Sequence, residues 1–325
     1  MRPVIAVLIP CHNEEATIGQ VVRDFRAALP GTLIFVYDNN SADRTAQEAA
    51  AAGAVVRAEP LRGKGNVVRR MFADIEADVF VLVDGDGTYD AASAPRLVQL
   101  LLNNSLDMVN ASRIASSQLA YRRGHQMGNA VLTGLVARIF GNRLTDMLSG
   151  YRVFSRRFVK SFPALTGGFE IETEMTVHAL QLRLPIAETP TPYRERPAGS
   201  ASKLRTYQDG ARILRAIVTL IKEEKPLQFF SIVALTLAVI SIALVIPVLR
   251  TYWQTGLVPR LPTAVLSTGV MLLAFLSLVS GLILETVTRG RIETKRLHYL
   301  GLAIRFSGAA EREVQPPWRA LANRS

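Results

Sequence analysis

Cysteine is almost missing from this chain: Cys11 is the single one in 325 residues. No intrachain disulfide can form, and the redox compartment is left undefined. A secretory signal is missing too. Arg2 is followed by a short apolar run that Pro10 interrupts, which reads as a strand and predicts a cytoplasmic N-terminal part. No G-x-G-x-x-G follows that first run, so a dinucleotide fold of the usual kind is excluded. Acids are in deficit, 27 against 38 Lys and Arg, for a net charge of +11. Such a surplus calls for an anionic partner, nucleic acid or an anionic membrane surface. No stacking-aromatic motif accompanies the basic residues, which argues against nucleic acid. His12, His125 and His178 are scattered without metal-ligand spacing and are expected to be structural.

The stretch that stands out is residues 79–90, VFVLVDGDGTYD. Five apolar residues of strand character run into Asp84 and Asp86, and Gly85 and Gly87 free the backbone to turn. In an open α/β sheet, ligands bind beyond the carboxyl ends of the strands. Two acids there, with no Lys or Arg between them, repel each other unless a divalent cation sits on them. Mg²⁺ and Mn²⁺ favour oxygen ligands shared between one or two carboxylates and a substrate's phosphates. A solvated turn that merely ends a strand has the same short pattern.

The surrounding chain repeats the theme. Residues 4–9 are a continuous apolar run, as for a strand buried on both faces, followed by Asn13 as a candidate helix cap. Residues 33–37 form a second strand ending at Asp38, with Ser41 placed to cap a helix through Ala52. A short strand covers 54–57, and Gly63-Lys64-Gly65-Asn66 opens a helix to about Ile75. A helix near 94–103 and a strand near 108–111 complete a β-α alternation that predicts a mostly parallel, doubly wound α/β sheet.

The last third is different. Residues 229–249 and 264–284 are 21 residues each without a charge, and at 1.5 Å per residue each spans roughly the 30 Å hydrocarbon core. Six Lys and Arg lie between 203 and 225 and eight from 289 onward, whereas the connecting loop has only Arg250 and Arg260. The positive-inside rule then predicts a hairpin with both flanks and both termini cytoplasmic in a cell membrane. Ile213, Leu214, Ile217, Leu220 and Ile221 share one helical face, predicting a helix lying in the membrane surface; a helix packed on the soluble domain has the same pattern. The expected organisation is a catalytic part over 1–204, a juxtamembrane helix over 205–226, the spans within 227–287 and a basic tail over 288–325. Small residues in the second span, among them Ser267, Gly269, Ser277, Ser280 and Gly281, suit packing against neighbouring chains in a homo-oligomer.

Seven motifs in order, IPCHNEE, YDNNSADRT, GKGNVVRRMF, LVDGDGTYD, SGYRVFSRR, FEIETEM and RPAGSASKL, followed by two spans, resemble the inverting family-2 glycosyltransferases of GT-A fold. The resemblance covers nearly the whole chain and is strongest to the polyprenyl- and dolichyl-phosphate sugar synthases. It implies a nucleotide-sugar donor, with UDP-sugars favoured and GDP-mannose the other candidate. It also implies a polyprenyl-phosphate acceptor, contact with membrane lipids and a Mg²⁺ or Mn²⁺ cofactor. By matching motif, Pro10, Asn13 and Glu14 shape the nucleotide pocket and Asp38 meets the base. Lys64 approaches the diphosphate, Asp84 and Asp86 hold the metal, and Glu172 reaches sugar hydroxyls. Thr88 stands where several relatives carry a metal-binding glutamine, which puts that ligand in doubt. Asp146 is expected to face the reacting sugar as base or orienting group.

A phosphate monoester has its second pKa near 6, so a lipid phosphate is already a dianionic nucleophile and needs cations more than a base. Arg113, Arg122, Arg123, Arg194, Arg196 and Lys203 are the candidates, because arginine forks suit phosphate. Among them Arg123 is also expected to act at the reacting centre. Two other functions compete. A processive polysaccharide synthase usually carries Q-x-x-R-W and more spans, whereas Gln315 to Arg319 here run in the wrong order. A non-catalytic membrane scaffold would have no need of the acid pair.

Overall fold

The structure is a computed structural model that describes residues 2–115, 134, 136, 144–168, 170–194, 219 and 221–302. It divides into two compact units, one of residues 1–206 with 296–325 and one of residues 207–295.

The first unit is built on one seven-stranded sheet: β1 (Ile5–Cys11), β2 (Leu33–Asp38), β3 (Val55–Ala58), β4 (Val79–Leu82), β5 (Met108–Ala115), β6 (Arg152–Ser155) and β7 (Ile186–Tyr193). Their spatial order is β3-β2-β1-β4-β6-β5-β7. From β1 the chain steps outward to β2 and β3, then returns to lay β4 on β1's other side, with all four strands parallel. The carboxyl ends of β1 and β4 therefore flank a switch point, where a ligand crevice opens. The helices are α1 (Ile18–Ala28), α2 (Thr45–Ala51), α3 (Lys64–Asp74), α4 (Ala94–Asn103), α5 (Arg156–Ser161) and α6 (Ile171–Leu182).

Both faces of the central strands are covered, which is why their apolar runs do not alternate. Val7, Ile9, Val79 and Val81 join Val22 and Phe25 of α1 and Leu97 and Leu101 of α4 in one core. On the other face Phe80, Phe154, Phe158 and Phe162 gather with Phe72 of α3. Ring centroids there lie 6.3 Å apart for Phe72–Phe80 and 4.5 Å for the stacked Phe154–Phe158 pair. His178 packs edge-on against Phe158 and Phe162, a structural place as expected.

The sheet is mostly parallel, as expected, with one exception: β6 runs antiparallel to both β4 and β5. β5 ends at the ligand rim and β6 begins there, so the chain re-enters the sheet downward without a crossover. Its approach, residues 144–151, is thereby laid over the acids that follow β4. Two predicted caps are also corrected. α1 starts at Ile18 with no side-chain cap, and α2 at Thr45. Asn13 takes a left-handed φ of 52°, which its short amide tolerates. Its Oδ1 accepts from the Ala42 N–H at 2.7 Å, and its N–H donates to Ser41 Oγ at 2.8 Å. Both residues stitch two rim loops together instead of capping helices.

The second unit holds α7 (Pro226–Thr255) and most of α8 (Leu261–Leu300), helices of 30 and 40 residues. They extend well beyond the two 21-residue runs, and their length and composition suit membrane crossing. Ser241 Oγ donates to the Ser267 carbonyl at 2.7 Å and Ser277 Oγ to that of Phe230 at 3.2 Å. A Cβ on Gly281 would press on Phe230. Ser267, Ser277 and Gly281, expected to meet neighbouring chains, thus pack the hairpin on itself, while Gly269 has open space around it. The tail expected from 288 is helical through Leu300. Within the first unit, Tyr299 at that helix end donates to Asp107 at 2.6 Å beneath the Arg157 guanidinium. The predicted surface helix over 205–226 falls mostly outside the described residues.

Candidate active site

Three strand ends meet at the rim. β2 ends at Asp38, whose Oδ2 accepts from the Ser41 N–H at 3.2 Å while its buried Oδ1 has no partner. An orphaned buried carboxylate oxygen is costly, and it is poised for an N–H donor from a ligand. Next to it, the Asn39 amide donates to the Glu59 and Leu61 carbonyls and accepts from the Gly63 N–H at 2.7 Å. Asn39 so ties the start of α3 to the end of β2, a role its place in a polar loop did not reveal. Pro10 sits on β1 opposite Tyr37. Glu14 is buried, with its N–H on Thr45 Oγ1 at 2.8 Å and its carbonyl starting α1.

Lys64 comes from the first turn of α3. Gly63 has a φ of 122°, and a Cβ on it or on Gly65 would collide with the backbone carbonyls of Gly167 and Thr166. The two glycines let this helix start lie directly beneath the 164–168 loop, where the Gly65 N–H donates to the Gly167 carbonyl at 3.1 Å. Glu174 holds that loop through Leu165 and Thr166, so it supports the site from outside. So placed, Lys64 Nζ lies 2.5 Å from Asp84 Oδ1 and 2.5 Å from Glu172 Oε1. The lysine side chain is 8% exposed, Glu172 6% and Asp84 29%. The cation missing between the paired acids in sequence is supplied from 20 residues earlier. Burial works against the charge on Lys64, but the two carboxylates outweigh it and hold the ammonium above the usual lysine range. Burial, aided by Asp84, pushes Glu172 up despite the lysine. One cation serves two acids.

Asp86 is 4% exposed, and its Oδ1 accepts from the Thr88 N–H at 3.1 Å and the Thr88 hydroxyl at 2.6 Å. Thr88, fully buried, therefore orients the second acid. Over the first acid lies Gly150, where a Cβ would collide with the Asp84 carboxylate. The Gly150 N–H donates to the Tyr89 hydroxyl at 2.8 Å. Fully buried Arg152 fixes the same loop, donating to the carbonyls of Ser149 at 3.0 Å and Met147 at 2.5 Å and to Thr176 Oγ1. Burial lowers its pKa. The SGYR motif pointed to this place, although a lone arginine in sequence reads as a surface charge.

On the far side Asp146 is gripped by Arg113, with Nε and Nη2 at 2.7 and 2.8 Å from its two oxygens. Glu188 accepts from the Thr145 and Asp146 N–H groups, and Arg113 also stacks over Tyr193 at 5.5 Å. Two residues expected in different roles are thus one fork-to-fork pair. Arg194 donates its backbone N–H to the Thr88 carbonyl at 2.8 Å, but its guanidinium is turned out, 66% exposed and 3.3 Å from Asp90. Arg122, Arg123, Arg196, Lys203 and His125 lie outside the described residues.

No group of three or more His, Cys, Asp or Glu is gathered for a metal among the described residues. Asp84 and Asp86, on one turn, fit a hard divalent ion that takes its other ligands from phosphate and water.

Comparison with known proteins agrees. Residues 6–162 match the model described as "Glycosyl transferase family 2". The chain is 34% identical over 228 residues to the glycosyltransferase AglJ of Haloferax volcanii, covering 70% of this chain and 75% of that one. It is 30% identical over 221 residues to the dolichyl-phosphate hexose transferase of the same organism, covering 68% and 95%. A solved structure of glucosyl-3-phosphoglycerate synthase from Mycobacterium tuberculosis, holding Mn²⁺, UDP and glucosyl-3-phosphoglycerate, aligns with a TM-score of 0.55 at 26% identity over 68% of this chain and 79% of that one. With acids at the switch point of a GT-A-like sheet, the chain is a glycosyltransferase and belongs to glycosyl transferase family 2.

Proposed function

We propose that the protein moves a sugar, with inversion, from a nucleoside diphosphate sugar to a polyprenyl phosphate at a membrane surface. The observation that carries this reading is the acid pair at the switch point in a chain that also holds two helices fit to cross a membrane. The name of the Haloferax volcanii dolichyl-phosphate hexose transferase supports a lipid acceptor. UDP is favoured as the nucleotide because the Mycobacterium tuberculosis synthase holds UDP with Mn²⁺.

In this reading Asp38 receives the base through its unpartnered oxygen, between the loops pinned by Asn13 and Glu14. Asp84 and Asp86 would hold the divalent ion, which, when bound, neutralises the diphosphate as it leaves. Glu172, locked to Lys64, lines the sugar end. The acceptor arrives as a dianion and needs no strong base, so Asp146 serves to orient the groups around Arg113. Arg122, Arg123 and Lys203 complete the acceptor side. The 1–204 part, the two spans and a cytoplasmic placement of both termini belong to the same proposal.

The test is transfer of labelled sugar into the lipid phase by purified protein given polyprenyl phosphate and a panel of UDP- and GDP-sugars. Labelling from one donor, abolished by EDTA and restored by Mg²⁺ or Mn²⁺, is expected. Labelling from none of the donors would overturn the lipid-acceptor reading.

A further inference from the structure

Lys64 occupies the place of a cation on an acid expected to hold a different cation. Its ammonium lies 2.5 Å from Asp84 Oδ1, and a metal ion on that carboxylate would sit about 2.1 Å from an oxygen. Ammonium and metal on one carboxylate would therefore be within about 5 Å of each other on a shared oxygen and within about 7 Å on the two oxygens, in a pocket where Lys64 is 8% exposed and screening by water is weak. Two like charges so placed repel. The lysine has somewhere to remain, because Glu172 holds it with Oε1 at 2.5 Å. Glu172 also keeps a second oxygen, Oε2, buried and without a partner. The ion triad is thus short of donors even with Lys64 in place.

We propose that Lys64 is the resident counter-ion of Asp84 and that its contact with this acid and metal binding exclude one another. The inference rests on the donor reading given above. Without nucleotide, Lys64 neutralises Asp84 and holds metal affinity down. When a nucleoside diphosphate arrives, its phosphate oxygens offer the ammonium a new partner. The lysine leaves Asp84 while still on Glu172, and the carboxylate becomes open to the metal. Metal and nucleotide then favour each other's binding, because both act on one side chain. The Gly63 and Gly65 contacts with the 164–168 loop hold the helix start rigid, so the hand-over is a movement of the lysine side chain alone.

The experiment titrates Mn²⁺ against the full chain in detergent, following the free Mn²⁺ signal by electron paramagnetic resonance, with and without UDP. No acceptor or sugar is present, so failure of the lipid-acceptor reading leaves the result intact. Since Lys64→Met alone leaves buried Glu172 facing the partly exposed Asp84 without a cation, the decisive pair is Glu172→Gln against Lys64→Met with Glu172→Gln. Removing the lysine is expected to tighten Mn²⁺ binding without UDP by about tenfold or more. Beyond the Mn²⁺ that UDP takes up in protein-free buffer, UDP is expected to tighten Mn²⁺ binding by a larger factor in wild type than in the double variant, where only the shared phosphate ligands still couple the two. Lys64→Arg, which keeps a cation, should keep nucleotide-free binding weak. Unchanged or weaker Mn²⁺ binding after removal of the lysine would overturn the proposal, as would no Mn²⁺ binding to wild type with UDP.

Discussion

The two sides of the site are held by ion groups of different pairing. Near β4, one ammonium serves Asp84 and Glu172, and Asp86 sits on the same turn with Thr88 bonded to its Oδ1. Near β5, the Arg113 guanidinium and the Asp146 carboxylate match fork to fork, and Glu188 secures the backbone beneath. The first side is left negative and asks for more cation. In the second, the Arg113–Asp146 pair is itself neutral and stiff, and the Glu188 carboxylate is taken up by the Thr145 and Asp146 N–H groups. A site that handles a diphosphate on a metal needs the first, whereas positioning an acceptor that brings its own nucleophile needs the second. The contrast can be broken by substitutions whose expected effects fall from large to small.

Asp86→Asn should be the most severe. The amide keeps the shape and the Thr88 bond but removes half the charge offered to the proposed metal. Loss of several kcal/mol of transition-state stabilisation corresponds to a fall in transfer of about 10³-fold or more. Sugar transfer into lipid, measured beside an unchanged melting curve, checks this.

Lys64→Met should cost stability on the negative side, about 3–5 kcal/mol by analogy with other broken buried pairs. Glu172 and Asp84 would then face each other with no cation between them. The sign with pH follows from Glu172, whose carboxyl is already raised by burial. A raised folded-state value means that the folded protein takes up the proton first. The variant should therefore regain stability as pH falls toward the ordinary carboxylate range, and lose it as pH rises through the folded value. Denaturant unfolding at several pH values reads this, and a pH-independent loss would mean that the triad is not what is broken.

Much of the negative side was legible beforehand. Strands buried on both faces leave unalternated apolar runs, and Asp38 and Asp84 stand directly after two of them, so spacing alone located the rim. The Lys64 bridge was not legible, because the contact spans 20 residues and depends on how α3 docks under the 164–168 loop. The neutral side was harder still. Strand β6 is only four residues long, and its antiparallel sense depends on where the chain re-enters the sheet. Arg152, fully buried, looks in sequence like any surface charge. Asn13 and Ser41 were read as caps since short polar side chains serve caps and loop ties alike. The charged stretch from 288 reads as a tail, yet it is helical through Leu300, where Tyr299 meets Asp107.

On the neutral side, Arg113→Lys tests the fork itself. Lysine retains the charge but cannot grip both oxygens of Asp146. Transfer should fall about tenfold, with donor KM nearly unchanged, if the disturbed group orients the acceptor side as proposed. A rise confined to donor KM would move Arg113 to the other half of the site and erase the contrast.

Arg194→Gln should do least. Its guanidinium is 66% exposed and meets Asp90 at 3.3 Å through a single nitrogen, a geometry worth about 0.5 kcal/mol or less at a surface. Activity within about twofold of wild type is expected, since screening leaves such a charge little hold on a phosphate. The result sharpens the comparison in one respect. If the acceptor phosphate is gripped by cations that the buried rim organises, an arginine outside that rim can be lost cheaply. A tenfold loss on Arg194→Gln, strongest at low salt, would instead mean that the acceptor is gathered by long-range charge, and that the neutrality of the Arg113–Asp146 pair is incidental.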